Sequence, residues 1–150
     1  MQDDFSSEIL LVNKLRKMLL GNGYEILQLV CSGGQAHFSI SYINQGKRKN
    51  TFPDLVAFDE NNIFVGEVKS GFDESDYKKL LGLKASKEAL KSLLRNINIR
   101  TKRVYSEHDI VFLLVHADSS SQPVPDVRQL VYHDSGFNLI PSSECPPPQE

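Results

Sequence analysis

Two short apolar segments, each associated with an acidic residue, constrain the fold of this chain most. The first segment runs from Leu55 to Phe58 and follows Pro53-Asp54, and the second runs from Ile63 to Val68 and contains Glu67. Both are rich in β-branched and aromatic residues, and the residues between them have the composition of a turn. We therefore predict that the two segments are neighbouring strands of one hairpin.

The hairpin register places two like charges opposite each other. A two-residue loop and a four-residue loop give the same register, and both set Asp54 opposite Glu67. Directly opposed residues have Cβ atoms about 4.5–5.5 Å apart, where like charges destabilise the pair. Lys69 lies two residues beyond Glu67 and projects from the same face. Lys69 would neutralise part of this negative charge, and a divalent metal ion would neutralise more.

The combination of Pro53-Asp54 with Glu67-Val68-Lys69 resembles the PD-(D/E)XK nuclease superfamily, which includes many restriction endonucleases and archaeal Holliday junction resolvases. The resemblance covers roughly residues 4–117. It implies an α/β, restriction endonuclease-like core in the order α-β-β-β-α-β, with a central mixed sheet flanked by helices. It also implies that Asp54 and Glu67 bind metal and that Lys69 assists the attacking water.

The backbone carbonyl of Val68 is a further metal ligand implied by the resemblance. Proline has no N–H group, so Pro53 cannot donate to a carbonyl on the facing strand. If Pro53 faces Val68 at a hydrogen-bonded position, the Val68 carbonyl lacks its ladder partner and is able to turn to the metal.

The chemistry of phosphodiester hydrolysis fits these residues. A carboxylate-held Mg²⁺ stabilises charge on the phosphoryl oxygens and lowers the pKa of its bound water. Magnesium needs only one or two carboxylates besides waters and phosphate oxygens, so Asp54 and Glu67 suffice, with Mn²⁺ as a substitute. We expect a Mg²⁺-dependent endodeoxyribonuclease. The alternatives are a catalytically silent nucleic-acid-binding or assembly protein on the same fold, and a domain whose basic helix binds an acidic protein.

Glu8 is a third acidic residue of interest, on a helix predicted over residues 4–20. It shares an apolar stripe that recurs at helical spacing with Leu11, Val12, Leu15 and Leu19. Many superfamily members place a glutamate on this helix facing the metal, and Glu8 resembles that catalytic residue. The structural alternative is a first-turn acid that interacts favourably with the helix dipole.

Clustered basic residues indicate a surface for nucleic acid, although the net charge is −2. One cluster lies in a loop predicted over residues 44–50, and the other lies on a single helix predicted over residues 74–97. The alternative is a basic loop and a solvated helix face, with Lys87 snorkelling along it. The resemblance favours DNA over RNA. The expected phosphate contacts are Lys47, Arg48, Lys49, Lys84, Lys87 and Lys91.

The remaining expectations concern domain organisation, location and assembly. Residues 1–140 are expected to form one nuclease-like domain, with further strands over 24–31, 36–43, 51–58, 109–116 and 137–140 and a short helix over 126–132. Residues 141–150 contain four prolines and are expected to be a disordered tail. The acidic N-terminus and the lack of a long apolar run favour a cytoplasmic location without membrane contact. Cutting both strands of a duplex is most simply done by a homodimer, and a targeting partner protein is the other expectation.

Overall fold

The computed structural model of the chain describes residues 3–31 and 38–143. It contains three α-helices, a short 3₁₀ helix at Glu107–Asp109 and eight strands. The helices are α1 (Asp3–Gly21), α2 (Glu74–Ala85) and α3 (Lys87–Thr101). The strands are β1 (Glu25–Leu29), β2 (Ile40–Asn44), β3 (Lys47–Thr51), β4 (Leu55–Phe58), β5 (Ile63–Val68), β6 (Ile110–His116), β7 (Arg128–His133) and β8 (Gly136–Ile140).

Six of the strands form a central mixed sheet in the order β1-β4-β5-β6-β7-β8. Strand β4 runs antiparallel to both β1 and β5, β6 and β7 continue parallel to β5, and β8 returns antiparallel to β7. Alternate residues of β4 point to opposite faces, so Leu55 packs with α1 whereas Val56 packs with α2 and α3. The predicted central mixed sheet flanked by helices is confirmed.

Helix α1 matches its prediction closely. The apolar stripe of Leu11, Val12, Leu15 and Leu19 is buried against the sheet. Burial of a large aliphatic side chain contributes about 1.5–3 kcal/mol, so this stripe is sufficient to hold the helix on the sheet. The helix ends where Asn22 bonds back to the Met18 carbonyl and Gly23 takes a positive φ of 84°.

The helix predicted over residues 74–97 is wrong as a single element. Helices α2 and α3 meet at Ser86, which has extended backbone angles and caps both of them. Its N–H donates to the Leu83 carbonyl, and its hydroxyl accepts a hydrogen bond from the Ala89 N–H at 3.1 Å. Serine is a favoured N-cap, so one residue ends the first helix and begins the second. The helical path is therefore interrupted at Ser86.

The loop predicted over residues 44–50 is also wrong, because β3 occupies most of it. Strands β2 and β3 form a separate hairpin, and its turn residues Gln45 and Gly46 both have positive φ. The strand predicted over 51–58 is accordingly divided between β3 and β4. The strand predicted over 36–43 begins at Ile40 in the described chain, and Ala36 and His37 lie outside the described residues.

The helix predicted over residues 126–132 is a strand instead. Strand β7 pairs with β8 through a turn at Asp134 and Ser135, both with positive φ, and this pairing outweighs the weak helical pattern. Of the predicted tail, residues 144–150 lie outside the described residues, and the Ser143 N–H donates to the Val124 carbonyl. Within the described ranges, no helix has the length and apolarity needed to cross a bilayer.

The close approach of β6 to Gly66 gives a test of the fold. A Cβ added at Gly66 would lie 2.3 Å from the carbonyl oxygen of Leu113 on β6, so the sheet must shift to accept it. Gly66→Ala should lower the free energy of unfolding by about 2 kcal/mol. Gly82→Ala on α2 meets nothing within 4 Å and should raise that free energy by about 0.5–1 kcal/mol. Urea denaturation measures both, and an unaffected Gly66→Ala variant would contradict the β5–β6 pairing.

Candidate active site

The β4–β5 register brings the two predicted acidic residues together. The ladder ends with Leu55 paired with Gly66, and the next residues, Asp54 and Glu67, are joined by a hydrogen bond from the Asp54 N–H to the Glu67 carboxylate, which agrees with the predicted register. Counting along the ladder from the hydrogen bond that closes the hairpin turn, this pair occupies a non-hydrogen-bonded position. Such positions bring Cα atoms to about 4.5 Å, closer than the alternate positions.

Reciprocal hydrogen bonds hold the two carboxylates in place. The Asp54 N–H donates to Glu67 Oε2 at 2.9 Å, and the Val68 N–H donates to Asp54 Oδ2 at 3.0 Å. Each acid therefore accepts a bond from the backbone of the opposite strand. These bonds stabilise the negative charges that the register brings together.

Pro53 explains why the ladder changes at this point. The β4–β5 ladder ends at Leu55 and Gly66, and Pro53, just before the bend at Asp54, has no N–H to donate to the facing strand. The Lys69 N–H donates to the Val115 carbonyl on β6. Because a carbonyl in a strand points opposite to the N–H of the next residue, the Val68 carbonyl points toward β4 and Pro53. The Val68 N–H has turned to the Asp54 carboxylate. This arrangement is consistent with the Val68 carbonyl as a metal ligand, which stays a prediction.

Gln28 is a supporting residue that the sequence did not reveal. It is buried on β1, and its Nε2 donates to the Pro53 carbonyl at 2.5 Å. Its Oε1 accepts a hydrogen bond from the Phe38 N–H at 2.7 Å. Gln28 thus replaces the donor that the Pro53 carbonyl loses when Val68 turns to Asp54. The available signal was a polar residue inside an otherwise apolar strand.

Lys79 is the second residue missed by the sequence analysis. It lies on α2, and its Nζ is 2.5 Å from Glu67 Oε1. The Glu67 side chain is 4% exposed and that of Lys79 is 30% exposed, so the ion pair joins a buried carboxylate to a partly exposed lysine. Many basic residues occur between 77 and 103, and their sequence pattern does not show which one turns inward.

Asp76 adds a third acid to the same region. Its Oδ2 is buried and accepts no hydrogen bond within the described part of the chain. Burial and the negative charges of Glu67 and Asp73 raise the pKa of Asp76 to about 6, against the opposing effect of Lys69 and Lys79. Asp73 caps α2 by accepting from the Asp76 N–H, which fixes Asp76 in the first turn of the helix.

Both carboxyl groups of the opposed pair have raised pKa values. Burial is the main cause that raises the pKa of Asp54, and the Val68 hydrogen bond and the charges of Lys79 and Lys69 oppose it. Burial and then the charge of Asp54 raise the pKa of Glu67. Lys69 is close enough to lower the pKa of Asp54, which agrees with its predicted place beside the pair. A site of this kind favours an additional cation.

Glu8 is buried, with 7% of its surface exposed, on the helix that packs against the other face of the sheet. Glu67 projects to the α2–α3 face, because Val68 beside it packs with α1. Burial raises the pKa of the Cys31 thiol first, and the carboxylates of Glu8 and Asp54 raise it further. Glu8 and Asp54 therefore both lie near Cys31, just beyond the end of β1. The catalytic role of Glu8 stays a prediction.

The predicted phosphate contacts do not form one stripe. The hairpin residues Lys47, Arg48 and Lys49 are exposed on β3. Lys84 lies on α2 and bonds to the Asp126 carbonyl and carboxylate at 3.1 and 3.5 Å. The other two expected contacts, Lys87 and Lys91, are exposed on α3. The break at Ser86 separates them from Lys84, so the expected single basic helix face is corrected to two helices.

The carboxylates of this site fit a magnesium ion if waters supply most of the other ligands. Within residues 3–31 and 38–143, no group of three or more His, Cys, Asp or Glu side chains is arranged to hold a metal ion. Magnesium requires only one or two carboxylates and retains several waters. Asp54 and Glu67 meet that requirement, and the buried Asp76 Oδ2 beside them provides an acceptor that lacks a donor.

Comparison with known proteins identifies no family: no family model, curated protein or solved structure matches this chain. The resemblance to PD-(D/E)XK nucleases therefore rests on Asp54, Glu67 and Lys69 and on the elements that carry them.

We expect the two possible replacements of Asp54 to differ in stability. Asp54→Asn retains an oxygen acceptor for the Val68 N–H and removes the charge facing Glu67, so its stability should equal or exceed that of the parent. Asp54→Ala leaves the buried N–H unbonded and should be about 1–3 kcal/mol less stable than Asp54→Asn. Urea denaturation at pH 7.5 without divalent metal measures the difference, with Glu60→Gln in the exposed turn as control. An Asp54→Asn variant that is less stable than Asp54→Ala would contradict the reciprocal hydrogen bonds.

Asp76 should make the metal-free protein less stable as pH rises. Its pKa is 3.8 when unperturbed and about 6 in the folded chain, so the unfolded state loses its proton first between these values. Asp76→Asn should match the parent below about pH 4 and exceed it by about 1 kcal/mol above pH 7, after allowance for solvent screening of a partly exposed group. Thermal melting across this range measures the effect. A difference that stays constant with pH would contradict the raised pKa.

Proposed function

We propose that this protein is a metal-dependent nuclease that hydrolyses DNA phosphodiester bonds, as an endonuclease, on a restriction endonuclease-like fold. The observation that carries the proposal is the close pairing of Asp54 with Glu67, with Lys69 beside them. Such a pair concentrates negative charge at a partly buried site, where a divalent cation is the natural complement.

The order of elements supports the proposed fold. If the β2–β3 hairpin is treated as an insertion, the chain runs α1, β1, β4, β5, the α2–α3 pair and β6. This is the order α-β-β-β-α-β. Asp54 immediately precedes the second of these strands and Glu67 lies on the third.

The proposed mechanism assigns a role to each residue of the site. Asp54, Glu67 and the Val68 carbonyl would hold Mg²⁺, or Mn²⁺ as a substitute. When bound, the ion supplies charge stabilisation and a more acidic water. Lys69 orients the attacking water, and its ammonium stabilises the negative charge that develops on the phosphoryl oxygens. Glu8 adds negative charge near the Asp54 end of the strands.

Substrate binding is assigned to the exposed basic residues of β3, α2 and α3. Lys47, Arg48 and Lys49 lie on the hairpin, and the helices contribute Lys84, Lys87 and Lys91. Contacts of this kind bind phosphates without reading sequence. A homodimer would supply two sites for the two strands of a duplex. A targeting partner protein would instead direct the domain to its substrate.

A catalytically silent nucleic-acid-binding protein is the second candidate function. The observation that favours it is the Lys79–Glu67 ion pair, which neutralises Glu67 without a metal. Metal binding distinguishes the two candidates, because the silent protein needs none. A salt-dependent affinity for DNA would be common to both.

Lys69→Ala tests the proposed chemistry. Because Lys69 is assigned to the chemical step, the variant should lose cleavage by about 100-fold or more while it still binds Mn²⁺ and DNA. Cleavage with Mg²⁺ and Mn²⁺ is measured on duplex, single-stranded, flapped and four-way-junction DNA. Binding is measured by calorimetry and by fluorescence anisotropy. Lys14→Ala, an exposed lysine on α1, is the control.

Two results would oppose the proposal in different ways. Cleavage by Lys69→Ala at the parent rate would remove Lys69 from the mechanism. A parent protein that binds DNA but neither binds Mn²⁺ nor cleaves any of the four substrates would favour the silent protein.

A further inference from the structure

The Lys79 ammonium occupies a position that a metal at Glu67 would require. Both oxygens of the Glu67 carboxylate are already hydrogen-bonded: Oε2 accepts from the Asp54 N–H and Oε1 accepts from Lys79. The Lys79 Nζ also lies 3.5 Å from the Phe52 carbonyl. Each carboxylate oxygen has two lone pairs, so an additional cation that binds Glu67 would share an oxygen with one of these two donors.

Lys79 is the donor that is able to leave. The Asp54 N–H belongs to the backbone at the start of β4 and is fixed by the sheet. Lys79 carries its charge on a flexible four-carbon stem, and nearly a third of its side chain is exposed. An ammonium and a divalent cation on neighbouring oxygens also repel each other strongly in a poorly solvated site.

A basic groove lies beside Lys79 and offers its ammonium another position. The groove has a volume of about 380 Å³ and runs between α2 and the β2–β3 hairpin. Lys78, Lys79 and Tyr42 are among the residues that line it, and none of the lining residues is acidic. Tyr42 pairs with Lys49 across the hairpin, so Lys49 projects from the same face of the hairpin as Tyr42. The groove therefore concentrates positive charge next to Glu67.

We propose that Lys79 is a second functional lysine of this site, with two alternative partners. In the metal-free protein it neutralises Glu67, and when a divalent metal binds Glu67 it turns into the groove between α2 and the hairpin and contacts a phosphate of the substrate strand. The inference rests on the proposed nuclease function, because that function supplies both the metal and the phosphate. Beyond that function, the inference predicts the path of the substrate strand, which runs along α2 and beneath the β2–β3 hairpin.

The test is a pair of binding measurements on Lys79→Met. Because the competing ammonium is gone, calorimetric titration should show Mn²⁺ binding about tenfold tighter than in the parent. Anisotropy with a DNA oligonucleotide in Ca²⁺ should show weaker binding, with the salt dependence reduced by about one phosphate contact. Lys79→Arg retains the charge and should bind Mn²⁺ like the parent. Lys14→Met removes an exposed charge on α1, away from the groove, and its Mn²⁺ affinity should be unchanged.

Each outcome decides one part of the inference. Equal or weaker Mn²⁺ binding by Lys79→Met would overturn the competition, and tighter Mn²⁺ binding with unchanged DNA affinity would overturn the phosphate contact. A parent protein that binds no Mn²⁺ would overturn the proposed function itself, which separates the two failures. Thermal melting checks that each variant is folded. Lys79→Gln, which keeps a donor for Glu67, replaces the methionine variant if that variant unfolds.

Discussion

The reciprocal hydrogen bonds between Asp54 and Glu67 and the opposite backbones are the interaction on which the site depends. They allow two acids to face each other at the end of the β4–β5 ladder. Pro53 makes this possible because it withdraws from the ladder and frees the Val68 N–H for a side chain. Gln28 then donates to the Pro53 carbonyl, while the Val68 N–H donates to Asp54. One proline thus converts the end of a regular hairpin into a charged site.

Helix α2 sets the charge balance of that site. Helix α2 is the next element after β5. Its first two turns place Lys79 in an ion pair with Glu67 and Asp76 near the same carboxylate. Asp76 increases the negative charge, whereas Lys79 neutralises Glu67 without satisfying Asp76 Oδ2. Burial is the first cause of the raised pKa values of Asp54, Glu67 and Asp76, and the negative charge of a neighbouring acid raises each of them further. The bound cation that we propose would lower all three, which links metal binding to the proton state of the site.

The parts of the structure that depend on local pattern could be predicted from the sequence. The α1 stripe, the two central strands and the opposition of Asp54 to Glu67 follow from periodicity and from the turn between the strands. The predictions failed where one residue or a tertiary pairing decided the outcome, as with Ser86 between the helices and the pairing of β7 with β8. Lys79, Asp76 and Gln28 were missed for a related reason. Which polar residue turns inward depends on how an element docks, and periodicity does not encode that orientation.

The most direct test of the account is the location of Mn²⁺ by anomalous X-ray scattering from crystals grown with the metal. We expect a peak within coordination distance of carboxylate oxygens of both Asp54 and Glu67, with the Lys79 ammonium moved away from Glu67. Manganese bound only elsewhere, with the Lys79–Glu67 pair intact, would contradict the claim that the opposed carboxylates form a metal centre.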